Sequence, residues 1–122
     1  MKPLLALLLL ASGLAAQPHV IYSKSFPGSV PEWVQITLQK DGQAVYTDQK
    51  DDPQPLAFTL PAEQVQTIFA LAERLNFFNR PLESGLPVAK MGEKCFRWVD
   101  GPKSFETKFN YSQDLDAQAL HD

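Results

Sequence analysis

Cysteine is almost missing: Cys95 is the single one in 122 residues. An intrachain disulfide is therefore excluded, and with it the bridged scaffolds that many small exported proteins use in place of a large core. Histidine is nearly as scarce, with His19 and His121 close to opposite ends of the chain. Chain ends are commonly mobile, a poor setting for the preorganised base that a Ser or Cys nucleophile needs. No G-x-S-x-G elbow is present. One Cys and two terminal histidines lack the spacing of a closed zinc set, so no metal and no cofactor are expected. Basic residues are outnumbered, 11 Lys and Arg against 14 Asp and Glu. Nucleic acid, which rewards clustered cations, is not an expected partner. No apolar run reaches the ~20 residues of a membrane-spanning helix.

What is present begins with an address. Lys2 supplies a positive start, residues 4–10 are wholly apolar, and Ser12, Gly13, Ala15 and Ala16 are small. That order reads as a secretory signal peptide over residues 1–16. The competing reading, a buried N-terminal helix, is disfavoured because the run has no polar face. No Cys follows to take a lipid, so soluble export to the periplasm or the extracellular space is expected. Cleavage would leave about 106 residues, the size of one domain, with ten basic and fourteen acidic groups.

Residues 17–32, with Pro18, Pro27, Gly28 and Pro31, read as an extended lead-in with at most a short edge strand at 19–22. From Trp33 on, Val34, Ile36 and Leu38 alternate with Gln35, Thr37 and Gln39, which is strand periodicity. Asp41-Gly42 favours a two-residue turn. That turn would set Leu38 against Val45 and Ile36 against Thr47 on the buried face, with Thr37 and Tyr46 on the other. Leu56, Phe58 and Leu60 predict a linking strand. Pro61 and Glu63 then open an amphipathic helix over 61–76 whose stripe is Val65, Ile68, Phe69, Ala72 and Leu75. Phe77 and Phe78 are expected to tuck under its end. A second hairpin around residues 100–103 pairs Trp98 with Phe105, Phe96 with Thr107 and Arg97 with Glu106, putting Cys95 on the more polar face. Residues 114–122 predict a short C-terminal helix with Leu115, Ala119 and Leu120 inward. Its brevity leaves open whether the domain, residues 33–122, continues beyond this chain. The expected class is α+β: a largely antiparallel sheet of about five strands, covered on one face by one helix.

The run P-x-W-V-x-I-x-L-x-x-D-G-x-A-x-Y over residues 31–46, a strand, a helix ending in a double Phe and a second hairpin resemble small exported bacterial domains of unknown function. The resemblance spans about 85 positions, 27–111. A pair of N-terminal cysteines found in some such domains is missing here. The resemblance implies the fold and export, and no activity.

Candidate chemistry is thin. Cys95 is a free thiol with no neighbouring base in sequence. Asp48, Asp51 and Asp52 form an acidic loop without the order of a calcium loop. Glu32, Glu83, Glu93 and Glu106 are available for a carboxylate pair. Trp33, Tyr46 and Tyr111 are the aromatics expected at the surface, where such residues mark ligand or partner sites. The leading expectation is a non-enzymatic binding or accessory domain with an unknown protein or peptide partner. The alternatives are a small hydrolase using Cys95 or a carboxylate pair, and an inhibitor of an envelope enzyme acting through the 84–89 loop. Oligomeric state stays open, since the lone Cys permits a covalent dimer.

Overall fold

Strand β1, His19–Ser25, is the centre of the molecule. We describe residues 17–89 and 92–121 of the chain from a computed structural model; the expected signal peptide lies outside them. Strands β2 (Trp33–Gln39), β3 (Gln43–Thr47) and β4 (Leu56–Thr59) follow as a meander, and β5 (Glu93–Asp100) and β6 (Lys103–Phe109) return on the far side of β1. The result is one six-stranded sheet in the order β4-β3-β2-β1-β5-β6, with every neighbouring pair antiparallel. Helices α1 (Ala62–Arg74) and α2 (Leu115–His121) complete the α+β fold. Among the described residues no helix is long and apolar enough to cross a membrane.

The lead-in is thus no edge. β1 has seven residues and pairs along its whole length with β2 on one side and β5 on the other. Its alternation is weak, with Val20 buried and its neighbours half-exposed, which is why periodicity alone undervalued it.

The second hairpin has the expected register: Val99 faces Ser104, Trp98 faces Phe105 and Arg97 faces Glu106. The first is shifted by one. Thr37 faces Val45, Leu38 faces Ala44 and Ile36 faces Tyr46. A one-residue slip moves a whole strand to the other face. Ala44 is therefore buried and Tyr46 joins the helix side, while Val45 stands 39% exposed on the opposite face. The cause is the turn. The Gly42 N–H donates to the Gln39 carbonyl at 3.0 Å and Gly42 has φ +97°, so the loop holds three residues, a tight turn followed by a left-handed glycine. The Gly42 carbonyl accepts the Leu60 N–H at 2.9 Å, and a Cβ there would stand 2.9 Å from the Leu60 oxygen. The turn is locked to the start of α1 by a contact that only glycine permits.

α1 lays Val65, Ala72 and the following Leu75 on the sheet as its periodicity predicts. Pro61 stands just outside, in extended geometry, with Glu63 in the first turn. Asn76, Phe77 and Phe78 then all take positive φ (55°, 56° and 64°), each at about 1–2 kcal/mol for a non-glycine residue. The left-handed turn drives both phenyl rings back under the helix. Phe78 is wholly buried, 5.2 Å from the Phe96 ring, and Phe77 lies 4.9 Å from Trp98. Ring contacts of this kind add to area burial and offset the backbone strain.

α2 turns differently from expectation. Ala117 is buried and Leu120 half-buried, whereas Leu115 is 78% exposed and Ala119 faces solvent. The Asp114 carboxylate sets the rotation by accepting the N–H groups of Asp116 (2.9 Å) and Ala117 (3.3 Å) as an N-cap.

Two substitutions test this packing, and the second separates it from the register expected of a two-residue turn. Phe78→Ala should cost about 3–5 kcal/mol, while Val45→Ala should change stability by less than about 1 kcal/mol. Urea denaturation of the two variants measures both.

Candidate functional site

β1 and β5 are neighbours with Lys24 directly opposite Lys94. Both alternate with inward side chains: Lys24 follows Tyr22 and Val20, and Lys94 precedes Phe96 and Trp98. Two ammonium groups are therefore aimed at the helix side of the sheet. Lys94 is only 8% exposed. Its Nζ donates to the Asn110 carbonyl at 2.8 Å and stands 5.8 Å from the Phe109 ring centre. Burial and then the charge of Lys24 push the Lys94 pKa down, and Glu83 opposes them. Lys24 runs over Gly92, where a Cβ would stand 2.9 Å from Lys24 Cε; Gly92 has φ +100°. Its Nζ lies 5.9 Å from the Phe26 ring centre.

These lysines line a cavity of about 920 Å³ with Tyr22, Asn110, Tyr111, Gln118 and His121, and Val88 and Ala89 form its outer wall. That wall is tied down: Asn110 Nδ2 donates to the Ala89 carbonyl at 3.1 Å, and Ser84 N–H to the Tyr111 carbonyl at 2.8 Å. α2 supplies Gln118 and His121, and Gln118 Nε2 donates to the Ser112 carbonyl at 2.9 Å. Helix position depends in turn on Asp114, which pairs with Arg80, and on Asp116, 3.4 Å from Arg74. A second cavity of about 240 Å³ adjoins the first, with Tyr22 and His121 in both walls. Its surroundings are otherwise apolar, including Ile36, Leu38, Phe58, Ile68, Phe96 and Leu120. It lies between the two packed clusters of the core, one centred on Phe78 and Phe96 and the other on Leu38, Ala44 and Val65.

The expected surface aromatics do not converge. Trp33 is half-buried beside Ser25 on the helix-free face. Tyr46, half-buried, is on the helix face but lines a separate depression with Asp48, Asp52 and Leu56. Tyr111 alone, 39% exposed, belongs to the lysine cavity.

Cys95 is half-buried on the helix-free face, between Ser23 and Lys108. Burial, reinforced by Glu106, pushes its thiol pKa up against a hydrogen bond with Ser23. A raised pKa keeps the group as the weak nucleophile, the thiol. His121 lies against Phe109 on the other side of the sheet. His19 is four strand positions from Ser23, the Cys95 partner, or about 13 Å away. No Cys–His pair is formed.

The carboxylates are dispersed or engaged. Glu83 accepts the N–H groups of Asn110 (2.8 Å) and Tyr111 (3.3 Å), and the Asn110 bond leads in lowering its pKa, opposite to the shift a general acid needs. Glu106 stands 3.6 Å from Lys108, and Glu32 accepts from the Gly28 N–H at 3.4 Å. In the acidic loop Asp52 accepts the Gln54 N–H at 2.8 Å. Among the described residues no three of His, Cys, Asp and Glu gather as metal ligands.

Compared with known proteins, the chain matches no family model and no curated sequence.

Two outcomes test this geometry. The native Cys95 thiol should react with a disulfide reagent at neutral pH several-fold more slowly than the urea-unfolded thiol; equal rates would mean that burial does not protect it. At Asp114, burial opposes the charge, but the Ala117 and Asp116 N–H groups and Arg80 outweigh it and lower the pKa. A lowered folded pKa gives stability that is present above the unfolded value of ~3.9 and lost as pH falls through the folded one. Asp114→Ala should therefore cost about 1 kcal/mol at pH 7, and the difference from the parent should vanish in acid, as read from denaturation at a series of pH values.

Proposed function

We propose that this is a non-enzymatic binding domain, acting in the periplasm or outside the cell after removal of residues 1–16, that holds a small anionic molecule in the lysine cavity. The observation that carries the reading is Lys94, a residue only 8% exposed that stands opposite a second lysine across the strand pair, with both lining a large concave site. Two like charges side by side destabilise a sheet, and burial of one adds a desolvation penalty. An anion between them relieves both. The cavity is of ordinary ligand-site size, and polar and charged side chains converge on it against Val88 and Ala89.

Binding through a strand added to the sheet is the weaker alternative. β4 is four residues long and bracketed by Pro53, Pro55 and Pro61, and β6 carries Lys103, Glu106 and Lys108. Short, proline-flanked or charged edges are those that resist further pairing. Catalysis lacks its pairs: the Cys95 thiol has no base, and Glu83 is held ionised by backbone donors.

The test is a two-dimensional NMR titration of the chain from Gln17 onward with a panel of small anionic, neutral and cationic compounds. Anions should shift resonances of Tyr22, Lys24, Lys94, Tyr111 and His121 together, and cations should leave them in place. A panel in which no class shifts them, or in which the shifts fall on Trp33 and the helix-free face, would contradict the proposal.

A further inference from the structure

We infer, resting on the binding role proposed above, that the ligand is an amphiphilic monocarboxylate, with its head group between Lys24 and Lys94 and its apolar tail in the adjoining cavity between α1 and the sheet. The two clefts share Tyr22 and His121 in their walls, so one molecule laid across these side chains reaches both. Neither cavity alone accounts for the arrangement. A small inorganic anion would use the lysines and leave an apolar cavity of about 240 Å³ unfilled. The cleft is open on one side, so the apolar side chains around it, among them Ile36, Phe58, Ile68 and Leu120, stay half-exposed until an apolar group covers them. An uncharged hydrocarbon would fill it and leave Lys94 buried beside Lys24.

The head group follows from the cations present. The described lining holds two lysines and no arginine, and lysine is a point charge without the planar fork suited to bidentate phosphate recognition. No helix N-terminus, the other common phosphate device, is aimed there: α1 begins at Ala62 and α2 at Leu115, and neither residue lines the cavity. Glu83 offsets part of the positive charge at Lys94 from beyond Asn110, so one negative charge suffices. Tail size follows from volume. At about 30 Å³ for each water-sized group, the apolar cavity takes roughly eight carbons, an acyl chain of medium length. Ile36, Leu38 and Phe58 form its floor, and Ile68 of α1 and Leu120 of α2 flank it.

Calorimetric titration with four probes tests the inference: decanoate, its neutral amide decanamide, the cation decylamine, and acetate. Decanoate should bind at least about tenfold more tightly than decanamide, the scale of a hydrogen bond to a charged group, and far more tightly than acetate or decylamine. Lys24→Gln, a change at a half-exposed position, should remove most of the advantage over decanamide, and so should Lys94→Met if that variant folds as judged by its CD spectrum. Ile36→Gln should weaken decanoate and decanamide alike. Equal affinity for decanoate and decanamide, unaffected by Lys24→Gln, would overturn the assignment of the head group. Acetate binding as tightly as decanoate would overturn the tail and leave the anion-binding role standing. Failure of every anion, in this series and in the NMR panel, would remove both.

Discussion

The whole arrangement depends on one strand being hydrogen-bonded on both sides. β1 pairs with β2 and with β5 over its full length, and no other strand joins the meander to the second hairpin. Without it the sheet would fall into the three-stranded β4-β3-β2 meander and an isolated β5-β6 hairpin, and isolated hairpins are marginal in water. The joint also fixes chemistry. Because Ser23 stands opposite Cys95 and Tyr22 opposite Phe96, Lys24 must stand opposite Lys94. The same register that closes the core against Val20, Phe96 and Trp98 sets two lysines opposite each other at its end.

The core is packed unevenly around that joint. Aromatic rings are dense on the β5 side, where Phe96 lies within 5.1–5.8 Å of Phe109, Phe78 and Tyr22. A left-handed turn at residues 76–78 is tolerated there because it delivers two more rings. Toward β2 and β3 the helix-side surface is thinner, with Ala44 and Leu38 under a half-buried Phe58 and Ile68, and the apolar cavity opens in that interval. Stability comes from the first region. The proposed site lies at the boundary between them.

Much of this was legible in the residues. The α+β class, the helix expected over 61–76 and found at Ala62–Arg74 with its stripe, the tucked Phe77 and Phe78 and the register of the second hairpin all follow from period and turn chemistry. The first hairpin misled because Asp-Gly suits more than one turn, and the three-residue loop is selected by a tertiary contact from Leu60 to Gly42 that no local pattern announces. The C-terminal helix misled for a related reason: its buried face is set by Asp114 as a cap and not by its leucines. The site was hidden by the placement of β1. With residues 19–22 read as an edge, Lys24 had no partner, and Lys94 was one charged residue at the start of a strand. One signal was available, since Lys94 shares the inward parity of Phe96 and Trp98, and a lysine on a core face asks for an explanation. Trp33 and Tyr46 were singled out by residue type, whereas Tyr22, Asn110 and Gln118 are recruited by topology.

Hydrogen exchange of the backbone amides of β1 tests the central position of that strand most directly. Flanked by β2 and β5, residues 19–25 should exchange as slowly as Phe96 and Trp98 in β5, with successive amides protected alike because donors on both sides of the strand are bonded. Fast exchange at every second amide of β1, with β5 protected, would make it an edge strand. That result would contradict both the sheet order and the pairing of Lys24 with Lys94.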